Sequence, residues 1–202
     1  MDRVVNDYVA GRGHDVLIDA GCGDSPYRPL LESHVGEYLA CDLPGNPNAQ
    51  IEFDTEGRLP LPASAADIVL SSQVLEHVPD PSVYLNELRR LLKANGLLVL
   101  STHGTWRYHP DPTDFWRWTR PGLVKLLDQH GFQTERVEGI MGPAATALQQ
   151  LQDACFLNFP RALRRPAFFV MQLLVELGDR LTSPRARELD AGTWVAVARR
   201  RA

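Results

Sequence analysis

The stretch Val16-Leu17-Ile18-Asp19-Ala20-Gly21-Cys22-Gly23-Asp24-Ser25 constrains this chain more than any other. Three apolar residues run into an acid, and two glycines one residue apart follow. A short apolar run that stops at a Gly turn reads as a buried parallel strand ending at a ligand. Glycine lets the backbone bend sharply and lets a ligand approach the main chain. A carboxylate at the strand tip suits a ligand carrying ammonium or hydroxyl groups and repels a pyrophosphate. A nicotinamide-binding turn would also need a third glycine where Pro26 stands.

The remaining pattern alternates strands with helices. Residues 2–10 read as a short helix, and Val16–Ala20 as the first strand. A helix with Pro26 and Pro29 near its start runs to about His34. The next strands are Glu37–Cys41 before Asp42, Gln50–Phe53 before Asp54, and Asp67–Ser72. A helix over Pro81–Ala94 has Asp80 as its N-cap and is stopped by Asn95-Gly96. Strand five is Leu97–Ser101, and the long loop Thr102–Thr119 follows. Thr119 caps a helix that ends at His130-Gly131, and Phe132–Glu138 is strand six. Helices at about 144–157 and 163–181 precede the last strand, Thr193–Arg199. The expected fold is α/β, a Rossmann-like, mainly parallel seven-stranded sheet flanked by helices, with a helical insertion before the last strand. The expected organisation is one domain over 1–202, its core at about 14–139 plus 193–199 and its insertion at about 143–182. In such sheets ligands bind at the carboxyl ends of the strands, where strand order reverses. Asp19, Asp42, Asp54, Ser72 and Gln73 all fall there.

The run Asp19-Ala20-Gly21-Cys22-Gly23 is similar to the first motif of class I S-adenosylmethionine-dependent methyltransferases, in the small-molecule, type 11-like branch. So are Asp42 after strand two, Asp54 after strand three, and Asp67-Ile-Val-Leu-Ser-Ser-Gln-Val-Leu-Glu-His-Val through strand four. Leu-Arg-Arg-Leu-Leu-Lys-Ala-Asn-Gly at 88–96 resembles the family's helix before strand five. The likeness covers about residues 14–139. Ser25 stands where many members carry a third glycine, and Asn95 where many carry proline. The resemblance implies S-adenosylmethionine as cofactor. Asp19, with Ala20, Gly21, Cys22 and Gly23, would face its amino-acid end. Asp42 would accept the ribose hydroxyls, Leu43 would wall the adenine, Asp54 would meet the adenine amine, and Ser72 and Gln73 would lie beside the methionine end. Glu76 and His77 are expected to hold the loop by hydrogen bonds, and Cys22 and Cys41 to act as small packing residues.

Methyl transfer from a sulfonium needs alignment above all, and a hydroxyl acceptor benefits from a base. The loop after strand five interleaves His103, Trp106, Tyr108, His109, Trp116 and Trp118 with Arg and Asp. Such a surface suits a sugar, a glycan or another polyhydroxylated ring. O-methylation with His109 or His103 as base is the expected chemistry. The competing expectation for the loop is a packed lid in which Asp114 and Arg117 pair structurally, and the alternative function is a catalytically inactive cofactor-binding scaffold or partner subunit of the same fold. No metal is expected, because no His, Cys, Asp or Glu spacing specifies one.

The chain has 21 basic and 25 acidic residues, for a net charge of -4, which gives no global pull toward nucleic acid. Arginines do gather at Arg161, Arg164, Arg165 and Arg199–Arg201. Three cysteines without a Cys-x-x-Cys pair, and an N-terminus without a signal pattern, point to the cytoplasm. Ala167–Leu177 is apolar nearly throughout, so that helix is expected to pack on the domain or on a second copy in a homodimer. The alternative is peripheral contact of residues 161–181 with the inner face of a membrane.

Overall fold

A computed structural model describes residues 1–156 and 160–202. In chain order the elements are α1 (Asp2–Val4), continued by a π turn over Val5–Val9, then β1 (His14–Ala20), α2 (Arg28–Leu31) with a 3₁₀ turn at Glu32–His34, β2 (Val35–Asp42) and β3 (Ile51–Glu52). There follow β4 (Ala66–Ser72), α3 (Pro81–Leu91), β5 (Leu92–His103), α4 (Arg120–Gln129) and β6 (Phe132–Ile140). The last four are α5 (Pro143–Phe156), α6 (Arg161–Leu181), α7 (Pro184–Leu189) and β7 (Thr193–Arg200).

The strands form one sheet of seven in the order β3-β2-β1-β4-β5-β7-β6. β1 pairs in parallel with β2 and β4, and β4 with β5, whereas β7 runs antiparallel to both β5 and β6. Strand order reverses between β1 and β4, which opens a crevice at their carboxyl ends. Both faces of the sheet are covered, so its central strands are apolar on both sides. Ile18, Leu98, Leu100 and Trp194 pack with Leu85, Leu88 and Leu91 of α3 and Leu123 and Leu127 of α4. Leu17, Ile68, Val99 and Val197 project to the other face and meet Val4, Val5, Val9 and Leu31.

Local chemistry sets the helix starts. Asp80 Oδ1 accepts from the Ser82 amide at 2.7 Å, and Pro81 takes the first turn of α3. Thr119 Oγ1 accepts from the Gly122 amide at 3.2 Å to open α4. The structure corrects several boundaries. α3 ends at Leu91, three residues before the expected Ala94, because buried Leu92 turns extended and pairs with Ala66 of β4. Lys93 then reaches the Asp67 carboxylate at 2.9 Å, and the other Asp67 oxygen accepts from the Asp15 and Val16 amides at 3.0 Å. This clamp ties β1, β4 and the start of β5 together. β5 also runs on through Thr102 and His103, which pair with Trp194 and Thr193 of β7 instead of starting the loop.

The expected helix over residues 2–10 is a single α turn relaxed into a π turn, and that to His34 is four residues plus a 3₁₀ turn. β3 has two paired residues, not the expected four, although the flanking Gln50 and Phe53 amides still donate to the Ala40 and Asp42 carbonyls of β2 at 2.8 and 2.9 Å. The insertion contains α7 as well, capped by Ser183 Oγ on the Ala186 amide at 3.2 Å. Of the expected helix at 144–157, residue 157 lies outside the described residues.

Candidate active site

The β1 tip is held by contacts the sequence did not announce. Asp19 is 2% exposed, and its Oδ2 accepts from the Tyr38 hydroxyl of β2. Burial pushes its carboxyl up to about 6, against the pull of the Tyr38 hydrogen bond and aided by the Asp42 charge. The Ala20 carbonyl accepts from Tyr84 of α3 at 3.2 Å, which fixes the strand end against the helix. Gly21 sits at φ +79, where a Cβ would lie 2.3 Å from Val74 Cγ2. Both the backbone angle and the approach of Val74 exclude any side chain. Gly23 has a φ of +52, and a Cβ there would meet nothing within 4 Å, so this glycine borders open space. Burial raises the Cys22 thiol to about 11, which leaves it a neutral packing group.

The Asp42 carboxylate closes the turn after β1. Its Oδ2 accepts from the Gly23 amide at 2.8 Å and from Asn46 Nδ2 at 2.6 Å, and its Oδ1 accepts from the Leu43 amide at 2.7 Å. Beside it Leu43 is 57% exposed, an apolar side chain standing at the rim. Asp54 Oδ1 accepts from the Glu56 and Arg58 amides at 2.9 and 2.8 Å, so one of its oxygens is spent on its own turn. Across the crevice, Gln73 sits at φ +57 and its Nε2 donates to Ser101 Oγ at 3.0 Å. Ser72 Oγ lies 3.1 Å from the same Ser101 oxygen.

Side chains two apart on a strand share a face, so His103 stands one pleat beyond Ser101. Its ring is buried and stacked on Trp106, with centroids 5.7 Å apart. His109 meets both His103 and His77, each at 5.9 Å between ring centroids. Glu76 is fully buried below them; its Oε2 accepts from Thr102 Oγ1 at 2.8 Å, and its Oε1 lies 3.3 Å from His103 Nδ1 in a misaligned contact. Burial raises the Glu76 carboxyl and lowers the His103 imidazole to about 4, the latter assisted by the Arg117 charge. His103 is therefore neutral near pH 7.

The loop from 104 to 119 is tightly tied down. Asp114 and Arg117 form a bidentate pair, with Arg117 Nη1 at 2.6 Å from Oδ1. Arg117 Nε also reaches the Trp106 carbonyl at 3.0 Å, and Asp114 Oδ2 accepts from the His109 amide at 2.6 Å. The Glu76 carbonyl accepts from the Phe115 amide at 2.8 Å, and Trp116 Nε1 donates to the Val78 carbonyl at 2.9 Å.

The structure thus brings Asp19, Gly21, Gly23, Asp42, Leu43, Ser72 and Gln73 to one edge of the sheet, with His103 and His109 beside them. Asp54 lies farther out, after the short edge strand. Sequence reading did not single out Tyr38, Asn46 or Ser101. No motif marks them, because each is brought in by a strand or loop distant along the chain.

A seven-stranded sheet in this order, with an acid and a Gly turn at its switch point, defines a class I S-adenosylmethionine-dependent methyltransferase fold. Residues 18–100 match the family described as a methyltransferase domain. The chain is similar to a probable S-adenosylmethionine-dependent methyltransferase of Mycolicibacterium smegmatis, 27% identical over 150 residues, covering 67% of this chain and 58% of that protein. It is also similar to a ubiquinone biosynthesis O-methyltransferase of Cereibacter sphaeroides, 32% identical over 99 residues, 43% of this chain and 40% of the relative. A solved putative methyltransferase of Bacillus halodurans shares the fold with a TM-score of 0.63 at 13% identity, covering 100% of this chain and 98% of that one. The methyltransferase-domain match spans residues 18–100, the fold is shared with solved methyltransferases, and the chain spans less than two thirds of the length of either curated relative.

Proposed function

We propose that the chain moves a methyl group from S-adenosylmethionine to a hydroxyl on a small polyhydroxylated ring, a sugar or a phenol. The observation that carries this reading is the alignment of Asp19, Asp42, Gln73 and His103 along the carboxyl edge of β1, β2, β4 and β5. The residues present fit the cofactor. Gly23 borders open space and Leu43 offers an exposed apolar wall. Asp19 keeps Oδ1 for an ammonium, since Tyr38 occupies Oδ2. Asp42 already accepts from the Gly23 and Leu43 amides, from Asn46 and, at 3.8 Å, from the Cys22 thiol, and a carboxylate has about four acceptor sites. Ribose hydroxyls would therefore share it with Asn46 or displace that amide. We read residues 14–139 with β7 as the unit that performs the reaction.

The bound cofactor would supply an electrophilic methyl on a sulfonium. The carboxyl edge of the sheet would hold that methyl in line with the acceptor oxygen, and the donor would leave as a neutral thioether. The hydroxyl proton passes to His103. His103 Nδ1 lies 3.3 Å from Glu76 Oε1 without an aligned hydrogen bond, and assigning the ring proton to Nδ1 would leave the Nε2 lone pair to take the hydroxyl proton. Trp106 holds the ring in place by stacking. The name of the Cereibacter relative supports oxygen as the acceptor atom.

Calorimetry with S-adenosylmethionine, followed by a screen for S-adenosylhomocysteine release over sugars and phenols, tests the proposal. Binding with turnover is expected, and His103→Ala should lower kcat about 10²-fold or more while cofactor affinity holds. Binding without transfer to any ring would leave a cofactor-binding scaffold instead. An unchanged kcat in His109→Ala at saturating cofactor would assign the base to His103 alone.

A further inference from the structure

The α5–α6 hairpin carries a surface that the crevice does not use. Helix α6 is apolar on two sides. One side packs on α5, where Gln172 Nε2 donates to Gln149 at 3.3 Å and Gln152 at 2.9 Å beside buried Val175. On the other, Leu163, Val170, Leu173, Leu174, Leu177 and Leu181 are exposed. At 100° per residue they fall within one stripe about 27 Å long. Of the expected packing on the domain or on a second copy, contacts within this chain account for one side of the helix.

Charge is unevenly distributed along the same segment. Residues 161–187 hold six arginines and two acids, leaving 15 basic and 23 acidic residues in the rest of the chain. Both acids are already paired, Glu176 with Arg180 at 2.6 Å and Asp179 with Arg187 at 2.8 Å. The arginines near the C-terminus are engaged, Arg199 with Glu135 at 2.6 Å and Arg201 with Asp128, and by sequence α6 carries four arginines against two acids.

We propose that the exposed face of α6 docks in the plane of an anionic lipid bilayer. An apolar stripe with arginines at one end complements acyl chains below an anionic headgroup layer. A second copy would bring two like-charged segments together, with their acids already engaged. No helix among the described residues is long and apolar enough to cross a membrane, so α6 lies along the surface. Docking would also orient the acceptor loop, because Asp153 of α5 pairs with Arg107 at 2.9 Å and Gln150 donates to the Thr105 carbonyl at 3.2 Å. This contact is independent of the methyl-transfer reading.

The test is co-sedimentation of the full chain with phosphatidylcholine vesicles, with and without phosphatidylglycerol. Recovery at least about tenfold greater on the anionic vesicles, and reduced by salt, is expected. Leu173→Glu with Leu177→Glu should abolish it, while melting temperature and calorimetric cofactor affinity stay unchanged. Equal recovery on both vesicle types would overturn the proposal. So would a lipid-free dimer, seen by light scattering, that the double variant dissociates, since it would give the face to a second copy. Because cofactor affinity is read separately, failure here and failure of the methyltransferase reading are distinguishable.

Discussion

At the scale of single residues, Asp19 sets stability against binding. Its carboxyl stands at about 6, above the ordinary 3.8. Between those two values the folded chain binds more protons at this group than the unfolded chain does. Its contribution to stability is thus present at low pH and is lost as pH rises through about 6. Asp19→Asn keeps an acceptor for Tyr38 and removes the buried charge. That variant should melt higher at pH 7.5, by about 1–2 kcal/mol in stability, and should bind S-adenosylmethionine at least about tenfold more weakly. In the natural chain, an ammonium partner requires the ionised form. Cofactor affinity measured by calorimetry should accordingly fall as pH drops from 7 to 5, and a flat profile would remove Asp19 from the site. Gly21→Ala meets both a positive φ and Val74 at 2.3 Å. It should destabilise the fold by about 1–3 kcal/mol, read as a lower melting temperature, and weaken cofactor binding with it.

At the scale of elements, the site depends on where helices begin and strands end. Asp80 caps α3, the helix that carries Tyr84 to the β1 tip. Asp80→Ala should cost about 1 kcal/mol, a drop of roughly 2–4 °C in a chain of this size, without changing cofactor affinity. A larger loss of affinity would mean that α3 moves the Gly turn. The N-caps and the Pro residues after them were legible as sequence because they act on their own first turn. The end of α3 was not. Asn95-Gly96 looks like a helix stop, yet Leu92 leaves the helix to pair with β4, and Lys93 to reach Asp67. Those partners lie more than twenty residues away, so no local signal carries them.

For the whole molecule, cofactor binding and folding are linked. A ligand held only by the folded chain at about 100 times its Kd adds roughly 2.7 kcal/mol. S-adenosylhomocysteine at that excess should therefore raise the melting temperature by several degrees, and no shift would count against a formed crevice. The α5–α6 hairpin leans on this same scale. It grips the loop after β5 through Arg107–Asp153 while leaving half of α6 uncovered, which joins that loop to an apolar face.

The sequence by itself determined the sheet, its order of strands and helices, and the Asp–Gly turn at the switch point. Apolar periodicity, glycine turns and N-caps act over a few residues, and their meaning travels with them. Tertiary structure alone decided the state of the charged groups. Asp19 is held by Tyr38 from a neighbouring strand, and Asp42 is filled by Gly23 and Asn46. His103 is pressed between Trp106 and a buried Glu76. Protonation and free acceptor capacity depend on burial and on partners that only folding brings within a few ångströms.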